Sequence, residues 1–205
     1  YFNLASPRKR NDDYNYQISY FYEFLVNGIS KIDNFNGDFV EHLKKQYSLA
    51  DLIILSSKYN ENDLEILDKL LKILKSDNKS IIIFDHALSQ TTKFNFNRLD
   101  YYVFVNSKFP DKKQLNNIEN QMFNDLENKK EINLKIKKIA LQNNVNLIER
   151  KNIFCDYENK KCPSITDKGY KIYYDYGHIT NEGAKFFAKK IENNYIFLNY
   201  IKSLL

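Results

Sequence analysis

The chain has 205 residues, of which 43% are hydrophobic and 28% charged, with a formal net charge of +5. This length and apolar fraction suit one sizeable folded domain and exclude a disordered chain, and no apolar run approaches the roughly 20 residues that span a bilayer. The basic excess is mild and comes with abundant Asn, Ile and Tyr, so it reads as solvating surface and gives no nucleic-acid signature.

The chain begins at Tyr1 rather than Met, and nothing before Pro7 resembles a secretion signal. The expectation is a single α/β domain spanning residues 1–205 whose upstream part is missing. Residues 1–37 are irregular and aromatic-rich, with Tyr14, Tyr16, Tyr20, Phe21, Tyr22 and Phe24 crowding one stretch. Among basic residues such rings would suit base stacking; next to Leu25 and Val26 they predict a core-facing segment.

Residues 38–47 predict a short helix, with Asp38 near its start and Phe39, Leu43 and Tyr47 at four-residue spacing. The string Ala50-Asp51-Leu52-Ile53-Ile54-Leu55-Ser56-Ser57 predicts a buried strand that stops at small polar residues. A helix follows with Leu64, Leu67, Leu70, Leu71 and Leu74 on one face and Asn78 as its stop, then a strand over residues 80–84. Strand–helix–strand order with near-continuous Ile and Leu points to a parallel sheet with right-handed crossovers, covered on both faces. Ligands of open parallel sheets lie beyond the carboxyl ends of the strands, which puts residues 56–60 and 85–89 near any active site.

Residues 90–111 read as a long loop with a short strand over 101–105. Residues 113–143 predict a helix broken midway, with Ile132, Ile136, Ile139 and Ala140 as its apolar stripe, and residues 145–148 a further strand. The last helix is expected over 181–200, with Ala184, Phe187, Ala188, Ile191 and Tyr195 facing inward. Its spacing, without a dense basic face, favours core packing over membrane anchoring. There is no internal repeat.

Cys155 and Cys162 enclose six polar, turn-prone residues. A small disulfide loop and a pair of free thiols both fit this spacing, with the disulfide favoured. Closed, the loop contributes about 2.5 kcal/mol in the chain-entropy account and persists only in an oxidising compartment. A zinc site would want further Cys or His ligands, and only His178 follows; no metal is expected.

The chemistry-bearing string is Tyr173-Tyr174-Asp175-Tyr176-Gly177-His178-Ile179-Thr180-Asn181-Glu182-Gly183-Ala184. Asp175 and His178 stand three apart ahead of a helix. In a loop, that spacing lets a carboxylate hold one imidazole nitrogen and fix the tautomer, while the other nitrogen takes a proton from a serine hydroxyl. Thr180 or Asn181 can cap the helix, and Glu182 suits its N-terminus. Taken alone the string is weak evidence, because a histidine after a turn is more often a surface or capping residue.

The segment resembles the C-terminal motif of SGNH (GDSL-type) hydrolases, D-x-x-H-L-[ST]-x-x-G, here Asp175, His178, Ile179, Thr180 and Gly183, with Ile for the usual Leu. More narrowly it is similar to the SGNH domain fused behind membrane acyltransferase family 3, which has a small Cys–Cys loop, a short aromatic strand and then D-x-x-H. Cys155, Cys162, the aromatic run before Asp175, and His178 follow that order. Ala50-Asp51-Leu52-Ile53-Ile54-Leu55-Ser56-Ser57-Lys58-Tyr59 resembles the family's A/P-D-x-V-I-L block, with Tyr59 where Trp is common. The resemblance covers residues 38–200.

It implies a three-layer α/β/α sandwich around a mostly parallel sheet, and transfer of acyl groups, usually acetyl, onto surface carbohydrate through an acyl-serine. Asp175 would orient His178, which acts as base and then acid. No cofactor is implied. The implied partners are a carbohydrate acceptor and an acyl donor delivered by an upstream membrane domain, which would tether the chain on the periplasmic or extracellular face.

The family's Gly-Asp-Ser nucleophile block is absent. The nearest string, Gly37-Asp38-Phe39, lacks the serine, and Ser6 has neither a strand before it nor a Gly beside it. The serine is therefore expected upstream of Tyr1, leaving these 205 residues inert or crippled by themselves. The usual Gly-x-Asn-Asp oxyanion block is also missing. Ser56, Ser57 or Asn60 could help hold an oxyanion, although Ser as a strand terminator and Asn60 as a helix cap is the more common role. His86 could contact substrate, with a structural role the stronger reading. Two other functions fit the same residues: a free-standing acyl-esterase, and a non-catalytic carbohydrate-binding derivative whose tyrosines stack on sugars.

Overall fold

The computed structural model describes residues 44–86, 92, 96–193, 198–199 and 202–203. The aromatic segment 1–37, the Gly37-Asp38-Phe39 string, Ser6 and Tyr195 lie outside them. Two compact units are present, one formed by Tyr1–His86 with Ile132–Ile148, the other by Ala87–Glu131 with Glu149–Leu205.

The first unit holds a three-stranded parallel sheet in the order β1 (Leu52–Leu55), β2 (Ser80–Phe84), β3 (Asn146–Ile148). Leu52 pairs with Ser80 through Leu55 with Ile83, and Ile82 with Asn146 through Phe84 with Ile148. Helix α1 (Glu61–Ser76) joins β1 to β2. It begins at a capping box: the Asn60 side chain accepts the Asp63 N–H at 3.0 Å, and the Asp63 carboxylate accepts the Asn60 N–H at 2.9 Å. Asp77 caps its other end, and Asn78 takes a left-handed φ of 55° that turns the chain into β2.

The apolar face of α1 packs Leu64, Leu67, Leu70, Leu71 and Leu74 against Ile53, Leu55, Ile81 and Ile83 of the sheet, with Ile136 and Ala140 in the same cluster. Each fully buried Leu contributes about 1.5–3 kcal/mol. Ile82, which points away from this cluster, is also fully buried, so β2 is covered on both faces as a three-layer arrangement requires. Residues 44–49 are helical. They overlap the end of the helix expected over 38–47, whose start lies outside the described residues.

The second unit begins with α2 (Arg98–Asn106), where the short strand over 101–105 was expected. Tyr101-Tyr102-Val103-Phe104-Val105 favours strand by composition, but the caps decide otherwise. Asn97 accepts the Asp100 N–H at 2.8 Å, and Ser107 closes the helix in the left-handed region. Next comes α3 (Lys112–Glu127); after the expected midway break, α4 (Lys130–Gln142) belongs from Ile132 onward to the first unit, and α5 (Arg150–Phe154), after β3, returns to the second.

A bidentate pair, Arg98 Nε to Asp125 Oδ2 at 2.6 Å and Nη2 to Oδ1 at 2.7 Å, ties α2 to α3. Cys155 and Cys162 form a disulfide. Its loop is held on the unit by Lys151, whose ammonium lies 3.7 Å from the Phe123 ring centroid and 4.8 Å from that of Tyr157, and which pairs with Glu127.

Helix α6 (Asn181–Glu192) buries Gly183 and Phe187, whereas Ala184 and Ala188 are exposed, contrary to the expected stripe. The Phe187 ring stacks 4.1 Å from Phe154 and meets Tyr173 edge-on at 6.3 Å. Among the described residues no helix is long and apolar enough to cross a membrane.

Candidate active site

The Asp–His segment is built as a small hairpin anchored on α6. Tyr173 bridges Ile179 in antiparallel fashion, the Thr180 N–H donates to the Ile172 carbonyl at 2.8 Å, and the Tyr174 N–H to the His178 carbonyl at 2.7 Å. Asp175, Tyr176 and Gly177 form the tip. Thr180 fixes both the hairpin and the helix. Its Oγ1 accepts the Gly183 N–H at 3.0 Å as N-cap and donates to the Lys171 carbonyl at 2.7 Å. A Cβ on Gly183 would lie 2.3 Å from the Ile172 oxygen. Only glycine lets the helix start this close to residues 171–173.

At the tip, Asp175 organises the turn around itself. Its Oδ1 accepts the N–H groups of Gly177 at 2.9 Å and His178 at 2.8 Å, an Asx turn that curls the chain back. The same carboxylate faces His178 Nδ1, with Oδ2 at 2.7 Å and Oδ1 at 3.0 Å. Burial is the largest influence on Asp175 and acts to raise its pKa. The two backbone donors and the imidazole together outweigh it and hold the carboxyl below its ordinary value. The ionised carboxylate favours the tautomer with hydrogen on Nδ1, which makes Nε2 the basic position. The His178 side chain is 61% exposed and that of Asp175 29%, so the imidazole is presented outward while its orienting partner is sheltered.

A second anchor was not visible from sequence patterns. Asn97 is 1% exposed. Its Nδ2 donates to the Tyr173 carbonyl at 3.1 Å and to Asp100 Oδ2 at 2.7 Å, with the Tyr174 carbonyl at 3.5 Å. Lys171 Nζ reaches the same Asp100 oxygen at 2.8 Å. The N-terminus of α2 is thereby tied to the strand that leads into Asp175. The Asn97-x-x-Asp100 spacing was the one available signal, a helix N-terminus pattern.

The other expected site residues belong to the first unit. Ser56 is exposed and Ser57 half-buried, just past the end of β1. Asn60 is engaged in the α1 capping box. His86 is buried at 4% exposure after β2, and its backbone N–H donates to Asn133 Oδ1 at 3.1 Å. Among the described residues no group of three or more His, Cys, Asp or Glu side chains gathers into a metal-ligand set.

No curated protein matches the chain. A solved structure of the periplasmic domain of a Salmonella ser. Paratyphi A lipopolysaccharide acetyltransferase superposes with a TM-score of 0.48 at 15% identity, over 78% of this chain and 61% of that one. The chain thus spans less than two thirds of that domain. The family model described as "SGNH domain (fused to AT3 domains)" matches residues 9–193, and the chain belongs to that family.

Proposed function

We propose that this is the SGNH domain of an acyltransferase that moves an acyl group, most simply acetyl, onto cell-surface carbohydrate. The observation that carries this reading is the 2.7 Å approach of Asp175 Oδ2 to His178 Nδ1 on the motif of a family fused to AT3 domains. In the reaction His178 Nε2 takes the proton of a serine hydroxyl, and the serine oxygen attacks the acyl carbonyl of the donor. Asp175 stabilises the imidazolium without itself being protonated. The imidazolium returns its proton to the departing donor group, leaving an acyl-serine. A sugar hydroxyl then gives its proton to Nε2 as its oxygen bonds to the acyl carbon; the bond to the serine oxygen breaks, and that oxygen takes the proton back from His178.

The 205 residues contain no Gly-Asp-Ser, so the serine is assigned to the part of the full-length protein upstream of Tyr1. That part would also carry the membrane domain delivering the acyl donor. The Cys155–Cys162 disulfide suits a periplasmic or extracellular position. Within the first unit, Ser56, Ser57 and Asn60 are the residues proposed as oxyanion donors; Asn60 would donate through Nδ2, since its side-chain oxygen serves the helix cap. The test is acyl content of the surface glycan in cells producing full-length protein with His178→Ala. Loss of the acyl group is expected, and an unchanged content removes the assignment.

A further inference from the structure

The hairpin register has a consequence for substrate recognition. With Tyr173 paired to Ile179 and Ile172 bonded to Thr180, Tyr174 stands directly across from His178. Residues opposite one another in an antiparallel pair project to the same face, with Cβ atoms about 5 Å apart. Burial agrees with this alternation: Tyr173 is 3% exposed, whereas Tyr174 is 70% exposed. The backbone beneath Tyr174 is fixed from two sides, by its N–H to the His178 carbonyl and by Asn97 Nδ2 at the Tyr173 and Tyr174 carbonyls. Tyr176 completes an aromatic surround, its ring edge-on to the imidazole at 6.4 Å.

A tyrosine this exposed adds little to the core, yet its backbone is hydrogen-bonded directly across the hairpin from His178. We propose that Tyr174 is a specificity-determining residue: its ring is the platform on which a pyranose ring of the saccharide acceptor stacks, presenting one hydroxyl to His178 Nε2. An aromatic ring with a polar end suits a sugar, whose C–H face is apolar and whose rim is hydroxylated, and a pre-organised platform spares the ordering cost of binding. In the step served, the acceptor O–H proton goes to Nε2 and the acceptor oxygen bonds to the acyl carbon. The bond to the serine oxygen breaks, and that oxygen takes the proton back from His178. The inference rests on the acyl-transfer reading above.

The test uses full-length protein, with the producing cell's surface polysaccharide, de-O-acylated by mild alkali, as acceptor, and p-nitrophenyl acetate as a small ester that needs no acceptor. Tyr174→Ala should raise the KM for polysaccharide about fivefold with kcat retained, while Tyr174→Phe and Tyr174→Trp stay within about twofold of wild type. Tm should be unchanged in all three, and p-nitrophenyl acetate hydrolysis should fall less than transfer does. An unchanged KM in Tyr174→Ala, or hydrolysis falling in step with transfer, overturns the proposal. His178→Ala separates the two readings: if it leaves hydrolysis and transfer intact, the Asp175–His178 assignment fails whatever Tyr174 does.

Discussion

Gly183 starts helix α6 so close to Ile172 that any β-carbon there would come within 2.3 Å of the Ile172 carbonyl oxygen. The obstructing atom is backbone, and that backbone is fixed by its bond from the Thr180 N–H. The hairpin bearing Asp175 and His178 is therefore seated on the helix by an approach that only glycine permits.

Gly183→Ala should accordingly push helix and hairpin apart. A cost of about 1–3 kcal/mol is expected for overpacking of this kind, which for a chain of this size lowers Tm by roughly 2–4 °C per kcal/mol. Acyl transfer should fall further than the stability loss alone explains, because the displaced element is the site. Thermal unfolding and activity of the variant check both; an unchanged Tm would contradict the packing argument.

Asn97 links the two segments through a buried amide. Asn97→Ala removes the α2 cap, worth about 1 kcal/mol, and leaves a buried carbonyl of Tyr173 without its donor, worth about 1–3 kcal/mol. Asn97→Asp keeps a capping oxygen but loses the Nδ2 donor and adds charge beside Asp100. Both should be destabilising in urea unfolding, and Asp should not rescue Ala. Full rescue by Asp would reduce the role of Asn97 to capping.

Some features were legible in the sequence for a physical reason, and others were not. Asp175 and His178 lie three residues apart and meet through a local turn, so their spacing carried the geometry. The strands Leu52–Leu55 and Ser80–Phe84 were legible as apolar runs. Helix α2 was misread as loop and strand because its aromatic and β-branched residues favour strand, while the deciding caps are two single side chains. The Asn97–Tyr173 bond joins residues 76 apart, and no local pattern reports such a distance. The reason for Gly183 was equally hidden, because it depends on Ile172 passing beneath it. Ala184 and Ala188 were placed inward by spacing alone, whereas Gly183 and Phe187 form the buried stripe.

Asp175 links the hairpin to pH. Its carboxyl is held below the ordinary value, so the stabilisation it confers is fully present above the unfolded-state pKa, about 3.9. It is lost as pH falls through the lower folded-state value. Asp175→Asn should therefore lower Tm near neutral pH, and the difference from wild type should shrink as the pH approaches 2. Melting curves across that range check the sign; a difference independent of pH would show that the carboxylate charge is not what holds the turn.

The disulfide gives a separate prediction. Reduction with dithiothreitol, or Cys155→Ser with Cys162→Ser, should cost about 2.5 kcal/mol, read as a Tm drop of roughly 5–10 °C. Lys151, packed on Phe123 and Tyr157, keeps the loop docked, so the site hairpin should retain activity. Complete unfolding on reduction would mean that this packing contributes little.

The account turns on Asp175 and His178 acting as one unit, and kcat/KM for acyl transfer by full-length His178→Ala, Asp175→Asn and the double variant measures that directly. The expected result is a loss of roughly a thousandfold or more for His178→Ala, a substantial loss for Asp175→Asn, and a double variant no worse than His178→Ala alone. Losses that multiply in the double variant, or a His178→Ala protein as active as wild type, would contradict it.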